Sequence, residues 1–284
     1  MKISVFLLFV LLLLMGGCDD YSYPTDGNNP PLPQGPYPIE TEVSLTPDRE
    51  YIYYISTDTV VSGKNGIYRA RVSIPVREPV LLGDSLHSPV VSLNSSTLAY
   101  IDSGRVHYYN LVDKVIQPSA LIDSFESVIF VNDTLLVAAR DRWLYLINEK
   151  QQTSTFFAYG WDPTFVARDT FVYWKGFDST YIIIRTDIDK SYPQTLYNLK
   201  TGATPRWPTF DKGLNRIAYG VEWHLEKHVY AVQVNDSAHF IADVEYSKPY
   251  LIDYNRVIYT GPDGRFYQSD FYGEKSFPFI YIKR

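Results

Sequence analysis

The amino-acid sequence predicts an all-β protein, a six-bladed β-propeller of four-stranded antiparallel blades, on three observations. An apolar triplet that most often ends in tyrosine recurs six times along the chain. The first residues of these triplets lie 36 to 46 positions apart, with a mean of 41, and one propeller blade is about 40–45 residues long. Polar turns follow the triplets, and no helical period of 3.6 residues occurs between them.

The composition is that of a folded protein and excludes several functional classes. The 284 residues are 45% hydrophobic, 20% charged and 16% aromatic, which excludes a disordered chain. Lysine and arginine number 26 against 32 acidic residues, a net charge of −6, so we expect no nucleic-acid partner. A single cysteine excludes a disulfide framework and a multi-cysteine zinc site.

The N-terminus has the pattern of a bacterial export signal. Lys2 precedes an apolar run from Ile3 to Met15, and Gly16, Gly17 and Cys18 follow it. A helix of about fifteen residues spans only about 22 Å, short of the roughly 30 Å of a bilayer core, so residues 1–17 are predicted to be a signal peptide. Leu14 to Cys18 resembles the bacterial lipobox, which implies lipid attachment at Cys18 and anchoring in the bilayer. The alternative is an ordinary cleaved signal in which Cys18 is incidental.

Residues 18–38 form the next segment, an acylated cysteine and a proline-rich linker. Six prolines alternate here with glycine and asparagine, a composition that builds no core and favours a semi-rigid extended stalk. Asp19 after the cysteine resembles an inner-membrane retention signal of enterobacteria. The pair Asp19 and Asp20 instead resembles the surface-export signal of Bacteroidetes-type lipoproteins. We expect a lipid-anchored protein of the cell envelope, and the outer membrane is favoured over the inner membrane.

Residues 39–284 are predicted to form the propeller. The second strands carry the triplets Ile52-Tyr53-Tyr54, Leu98-Ala99-Tyr100, Leu135-Leu136-Val137, Phe171-Val172-Tyr173, Ile217-Ala218-Tyr219 and Val257-Ile258-Tyr259. The turns that precede several of them contain Asn132-Asp133, Arg168-Asp169 and Tyr254-Asn255, residues that tolerate positive φ. Four prolines are expected to open first strands, namely Pro89, Pro163, Pro205 and Pro249. Phe277 to Ile282 is predicted to be the outer strand of blade six. The ring then closes by face packing, unless Tyr37 to Glu40 adds a strand across the seam.

Two stretches carry a family resemblance. Ser88 to Tyr100 and Thr46 to Tyr54 are similar to the P-x-W-S-P-D-G-x-x-I-A-Y repeat of TolB-like six-bladed propellers. Pro205-Arg206-Trp207, followed by Arg216 to Tyr219, is the segment most similar to the tryptophan-containing form. The resemblance covers the chain after the stalk, and units three, four and six are one residue shorter in the first turn. It implies the fold, and it implies that Trp161 and Trp207 cap the core, whereas propellers host unrelated functions.

Few residues suggest catalysis. His224 to His228 resembles a metal-binding pair, but it falls in a predicted hairpin turn, so an exposed loop is favoured over a metal site. No Gly-x-Ser-x-Gly elbow occurs in the sequence. Asp187 and Asp189 could serve glycosidase chemistry, although acidic residues are common in surface loops. We therefore expect a non-enzymatic protein with no cofactor and no metal.

Binding is better supported than catalysis. The loops that join fourth to first strands, and second to third strands, are expected on one face around the channel mouth. Tryptophan, tyrosine and arginine dominate interface hot spots, and candidate binding residues in these loops are Trp161, Trp174, Arg206, Trp207, Trp223, His224, Tyr246 and Lys248. For Trp207 a core role is favoured over a binding role, and for Trp174 and Trp223 the two are equally weighted. The first hypothesis is an envelope protein partner on this face, the second is a glycan or small ligand in the channel mouth, and a hydrolase is third.

Overall fold

A computed structural model describes residues 38–279, apart from residues 59–62, 119–123, 149, 178, 192, 214, 225, 235, 245 and 254. The predicted signal peptide, Cys18 and the stalk up to Tyr37 lie outside the described residues. Within the described ranges, no helix is long and apolar enough to cross a membrane.

The described residues contain 24 strands in six four-stranded antiparallel sheets, and each sheet takes four strands that are consecutive in the chain. Blades one to three contain β1 (Ile39–Leu45), β2 (Tyr51–Thr57), β3 (Gly66–Arg71), β4 (Glu78–Leu82), β5 (Leu86–Val91), β6 (Thr97–Asp102), β7 (Arg105–Asn110), β8 (Ile116–Pro118), β9 (Ser127–Phe130), β10 (Leu135–Arg140), β11 (Trp143–Asn148) and β12 (Thr153–Tyr159). Blades four to six contain β13 (Trp161–Ala167), β14 (Thr170–Phe177), β15 (Thr180–Asp187), β16 (Gln194–Lys200), β17 (Thr204–Asp211), β18 (Arg216–Trp223), β19 (Glu226–Gln233), β20 (His239–Asp243), β21 (Tyr246–Leu251), β22 (Arg256–Thr260), β23 (Phe266–Asp270) and β24 (Ser276–Pro278). The predicted six-bladed propeller is confirmed.

Five of the six predicted triplets lie in the second strands and are buried on both faces. In blade three Leu135 is only half-buried, and strand register places Leu136 opposite Phe130, so the triplet there is Leu136-Val137-Ala138. Ile52, Leu98 and Ile217 are 0% exposed, because each blade packs against a neighbour on either side. Apolar clusters cross every boundary between blades, including the one between blades six and one. The excess of tyrosine is therefore largely a packing feature, as Tyr54 and Tyr219 illustrate with their fully buried rings.

The turns between first and second strands use the side-chain chemistry that the sequence predicts. The Asn132 side-chain carbonyl accepts hydrogen bonds from the Thr134 and Leu135 amides, each at 2.9 Å. Asp169 has a φ of 60°, a conformation that aspartate tolerates better than most residues. These bonds stabilise tight connections without glycine.

Between residues 38 and 279, the first and last blades meet by side-chain packing and hydrogen bonds, and no described strand is exchanged between them. β24 pairs with β23 as the outer strand of blade six, and β1 pairs with β2 within blade one. The predicted outer strand ran from Phe277 to Ile282, whereas β24 ends at Pro278, and residues 280–282 lie outside the described residues. Glu40 is the main polar bridge: its amide donates to the Gly264 carbonyl at 2.7 Å, and its carboxylate accepts from the Phe266 amide at 3.1 Å. Burial raises the pKa of Glu40 to about 7. A buried carboxylate therefore lies at the seam between the first and last blades.

Candidate functional site

The central channel is surrounded by one residue from the first strand of each blade. We call this set the channel ring; by strand register it consists of Glu42, Ser88, Ser127, Asp162, Trp207 and Lys248. In five blades the register shifts at this position, which is typical of a β-bulge. Four ring residues have positive φ, from 37° to 55°, which is uncommon outside glycine. In these five blades the bulge therefore places one residue of the first strand at the channel axis.

Several channel-ring residues tie one blade to the next. The Glu42 carboxylate accepts the Ser88 amide. The Ser88 hydroxyl accepts the Val128 amide at 3.2 Å, and the Asp162 carboxylate accepts the Trp207 amide at 3.0 Å. These bonds join blade one to two, two to three, and four to five, so the ring stabilises the assembly as well as lining the channel.

Removal of the Ser88 hydroxyl tests this structural role. Ser88→Ala leaves the buried Val128 amide without its acceptor, which is expected to lower the free energy of unfolding by about 1–3 kcal/mol. Urea denaturation followed by circular dichroism measures the change. Ser85→Ala is the matched control, because the Ser85 hydroxyl bonds Asp102 at an exposed position. An equal loss for both variants would contradict a special role for Ser88.

Burial shifts the pKa values of two channel-ring residues, Asp162 and Lys248. Burial raises the pKa of Asp162 to about 6, while Arg206, the Trp207 amide and Lys248 oppose the shift. Burial lowers the pKa of Lys248, and the carboxylates of Glu42 and Asp162 oppose that change. The channel is otherwise lined largely by apolar side chains, among them Val90, Ile129 and Phe165. At its far end, Arg49 of blade one forms an ion pair with Asp211 of blade five at 3.3 Å.

A polar depression opens beside the channel, between blades three, four and five. We call it the mouth pocket; it is lined by Glu126, Asp141, Arg142, Trp161, Asp162, Thr204 and Arg206. These residues come from the starts of first strands and from the turn between β10 and β11, which are the two kinds of loop predicted on one face. We call this side of the propeller the mouth face.

Two predicted binding residues form the wall of the mouth pocket. Trp161 is only 7% exposed, and its indole N–H donates to the Pro205 carbonyl at 3.1 Å. The guanidinium of Arg142 lies over the Trp161 ring, 5.2 Å from its centroid. Arg206 lies 3.0 Å from the Asp162 carboxylate and 4.3 Å above the Trp207 ring. The aromatic side chains here hold arginines in place.

Trp207 and Lys248 line the channel, but the role implied for Trp207 is wrong. Strand register places Phe210 opposite Ile217, where Val91 stands opposite Leu98 in blade two. The tryptophan position of the repeat is therefore occupied by Phe210, three residues beyond Trp207. Trp207 lies at the bulge and faces the channel, and it does not cap the core.

Trp174 is a wrong prediction as a binding residue. It is 0% exposed, and its ring meets that of Tyr219 edge-on at 5.6 Å in the core between blades four and five. The reason is the length of β14, which continues to Phe177, so that Trp174 lies inside the strand and not in the loop after it.

Trp223 and His224 do lie at a hairpin tip on the mouth face. Trp223 is 57% exposed, and its ring stacks on that of His224 with centroids 6.0 Å apart. The His228 imidazole is 2.8 Å from Asp243, and the described residues contain no cluster of three or more side chains suited to a metal ion. Tyr246 begins β21 on the same face, but its side chain lies outside what the structure describes.

An exposed aromatic cluster on blade three is not among the binding residues predicted from the sequence. Trp143, Phe156 and Tyr159 are 39%, 47% and 57% exposed, and they lie on β11 and β12 beside the mouth pocket. A tryptophan that begins a strand directly after a two-residue turn was the available signal.

Comparisons with known proteins reveal similarity in fold alone. No family model and no curated protein sequence matches the chain. TolB from Acinetobacter baumannii superposes with a TM-score of 0.58 at 14% identity, over 74% of this chain and 55% of that one. This chain thus spans only about half the length of that TolB.

Two further solved structures are similar. A putative TolB from Agrobacterium tumefaciens has a TM-score of 0.57 at 14% identity, over 72% of this chain and 84% of that one. An oligogalacturonate lyase in complex with manganese has a TM-score of 0.54 at 12% identity, over 86% of this chain and 77% of the lyase. TolB structures and a lyase thus share this architecture, and in fold the chain is a six-bladed β-propeller similar to that of TolB.

Proposed function

We propose that the protein is a non-catalytic binding module of the bacterial cell envelope that docks a protein partner on its mouth face. The observation that carries the proposal is the combination of an exposed tryptophan with a pre-oriented arginine there. Trp223 is 57% exposed, and Arg206 is held between Asp162 and the Trp207 ring. A fixed arginine and an exposed tryptophan lose little conformational entropy on binding, which is why such residues act as hot spots.

The charge pattern of the mouth favours a partner with both acidic and basic groups. Arg142 and Arg206 stand beside Glu126 and Asp141 around the pocket. Complementary charges at an interface raise specificity and the association rate more than affinity. We therefore expect a salt-sensitive association with a polar protein surface.

The cellular setting is part of the same proposal. Lipid attachment at Cys18 and a stalk of residues 18–38 would tether the propeller to a membrane, with the outer membrane favoured. β1 begins at Ile39 on the mouth face, because every first strand starts there.

Crosslinking in whole envelopes tests the proposal with the full-length protein. We expect one protein to co-purify in stoichiometric amount with the wild type and to be lost from the double variant Trp223→Ala, Arg206→Ala. Tyr272→Ala is the matched control, an aromatic that is 49% exposed in the turn between β23 and β24, away from the mouth. Circular dichroism checks that each variant is folded.

Two results would count against docking on this face. Retention of the partner by the folded double variant would show that another surface binds it. Absence of any stoichiometric protein partner would refute protein docking altogether.

A further inference from the structure

The exposed aromatic cluster of blade three takes no part in the docking site centred on Trp223 and Arg206. We call Trp143, Phe156 and Tyr159 the aromatic shelf. The Trp143 centroid lies 4.6 Å from that of Tyr159 and 5.2 Å from that of Phe156, with the rings inclined at 56° and 63°. Rings that meet at steep angles support each other and leave part of each face open to solvent. A cluster of this kind on a protein surface indicates a binding site.

The shelf is rigid because two neighbouring strands carry it. Trp143 on β11 is directly opposite Tyr159 on β12. Beneath them the half-buried Tyr145 ring contacts Phe156, with centroids 6.4 Å apart. Arg140 fixes Tyr145 in turn by donating to its hydroxyl at 3.0 Å and by covering its ring. A ligand would therefore meet a preformed platform, which lowers the entropy lost on binding.

A strained turn joins the shelf to the mouth pocket. Asp141 and Arg142 connect β10 to β11 with φ values of 50° and 65°, as in a two-residue hairpin of type I′. Arginine in this conformation costs about 1 kcal/mol, and such strain is retained mainly at functional positions. The turn presents an exposed carboxylate and an exposed guanidinium to the pocket. On the other side, Gly160 between Tyr159 and Trp161 donates its amide to the Arg142 carbonyl at 2.9 Å.

The combined surface has the chemistry of a sugar-binding site. A pyranose presents a C–H-rich face, which stacks on an aromatic ring, and an edge of hydroxyl groups, which hydrogen-bond to carboxylates and guanidiniums. The pocket lining holds three carboxylates (Glu126, Asp141 and Asp162) against two guanidiniums. That balance does not favour phosphate-rich or uronate-rich chains, because they need an excess of positive charge.

We propose that the aromatic shelf and the mouth pocket together bind a neutral oligosaccharide. One sugar ring stacks on Trp143, and the Tyr159 ring, inclined at 56° to Trp143, contacts the edge of that sugar. The next sugar lies over the Asp141-Arg142 turn, where carboxylates accept and guanidiniums donate hydrogen bonds to its hydroxyls. This site shares Arg206 of the mouth pocket with the proposed docking site. The two proposals are therefore distinguished by variants of residues that they do not share, Trp143 and Trp223.

Isothermal titration calorimetry of the full-length protein in detergent micelles tests the site with four probes. They are cellohexaose, maltohexaose and hexa-N-acetylchitohexaose, with hexagalacturonate as the charged comparison. We expect at least one neutral hexasaccharide to bind with a Kd between about 10 μM and 1 mM. Trp143→Ala is expected to weaken that binding at least about tenfold, whereas Trp143→Phe, which keeps a flat ring, should stay within about threefold of the wild type.

Trp223→Ala is the control, an exposed tryptophan on another blade, and should leave the Kd unchanged. Thermal melts check folding, and Tyr159→Ala replaces Trp143→Ala if the latter is unfolded. The proposal is overturned if none of the neutral hexasaccharides binds, if hexagalacturonate alone binds, or if Trp223→Ala weakens binding as much as Trp143→Ala. Loss of a protein partner from Trp143→Ala, without binding of any sugar, would also overturn it.

Discussion

Trp174→Ala is expected to lower the free energy of unfolding by about 3–5 kcal/mol, because it leaves a large cavity between blades four and five. The Trp174 side chain is fully buried and packs edge-on against Tyr219. Both residues lie in the middle of central strands, so the surrounding backbone has little freedom to collapse into the space. Equilibrium urea denaturation measures the change.

Trp223→Ala provides the comparison, since it removes the same side chain from an exposed hairpin tip. Its effect on the free energy of unfolding is expected to stay within about 0.5 kcal/mol. The loss of unfolding free energy for Trp174→Phe should lie between the losses for Trp174→Ala and Trp223→Ala, because no described residue accepts a hydrogen bond from the Trp174 indole. Equal losses for the alanine variants of Trp174 and Trp223 would contradict the packing described for blade four.

Glu40→Gln is expected to stabilise the protein relative to the wild type as the pH rises. The folded-state pKa of Glu40 is about 7, above the ordinary value of 4.5, because burial disfavours its charged form. The contribution of Glu40 to the free energy of unfolding is therefore fully present below about pH 4.5 and is lost as the pH rises through 7. The difference between variant and wild type should change by about 3 kcal/mol between pH 4.5 and pH 8.5.

The groups that face Glu40 do not reverse this sign. The hydrogen bond from the Phe266 amide and the charges of Arg77 and Arg265 lower its pKa, and Asp263 raises it, but each acts less strongly than burial. Urea denaturation at both pH values measures the difference. Glu78→Gln is the control, an exposed glutamate that pairs with Arg69, and it should differ from the wild type by less than about 0.5 kcal/mol at either pH. A pH-independent difference for Glu40→Gln would show that the seam carboxylate is not desolvated.

The repeat of about 41 residues was sufficient to predict the fold, because every second strand is buried on both faces and so carries the same apolar triplet. The shorter first turns of units three, four and six also match the structure, where Phe130 and Leu136 are six residues apart and Val91 and Leu98 are seven apart. The mouth face was correctly predicted from the connection order alone. Periodicity determines which strand a residue joins.

The residues of the site were harder to predict than the strands. Pro205 and Pro208 are only three residues apart, and the local pattern does not tell which of them follows the bulge. Taking Pro205 as that proline led to the wrong prediction that Trp207 caps the core. For Trp174 and Trp143, exposure depends on how far β14 extends and on what covers β11, and the linear pattern contains neither. Side-chain exposure is set by neighbouring blades, which lie far away in the sequence.

The absence of a shared strand at the described seam has a consequence for how the chain matures. Each blade is complete as soon as its own stretch of about 40 residues has been synthesised, whereas the Glu40–Phe266 bond joins residues 226 positions apart. The face of blade one that contains Tyr54 therefore stays uncovered until blade six has been synthesised and Phe266 packs on it. Closure of the ring is the final, long-range step. Until then one apolar face of blade one and one of blade six are exposed to solvent and prone to aggregation. This interval is the time at which the folding protein depends most on chaperones.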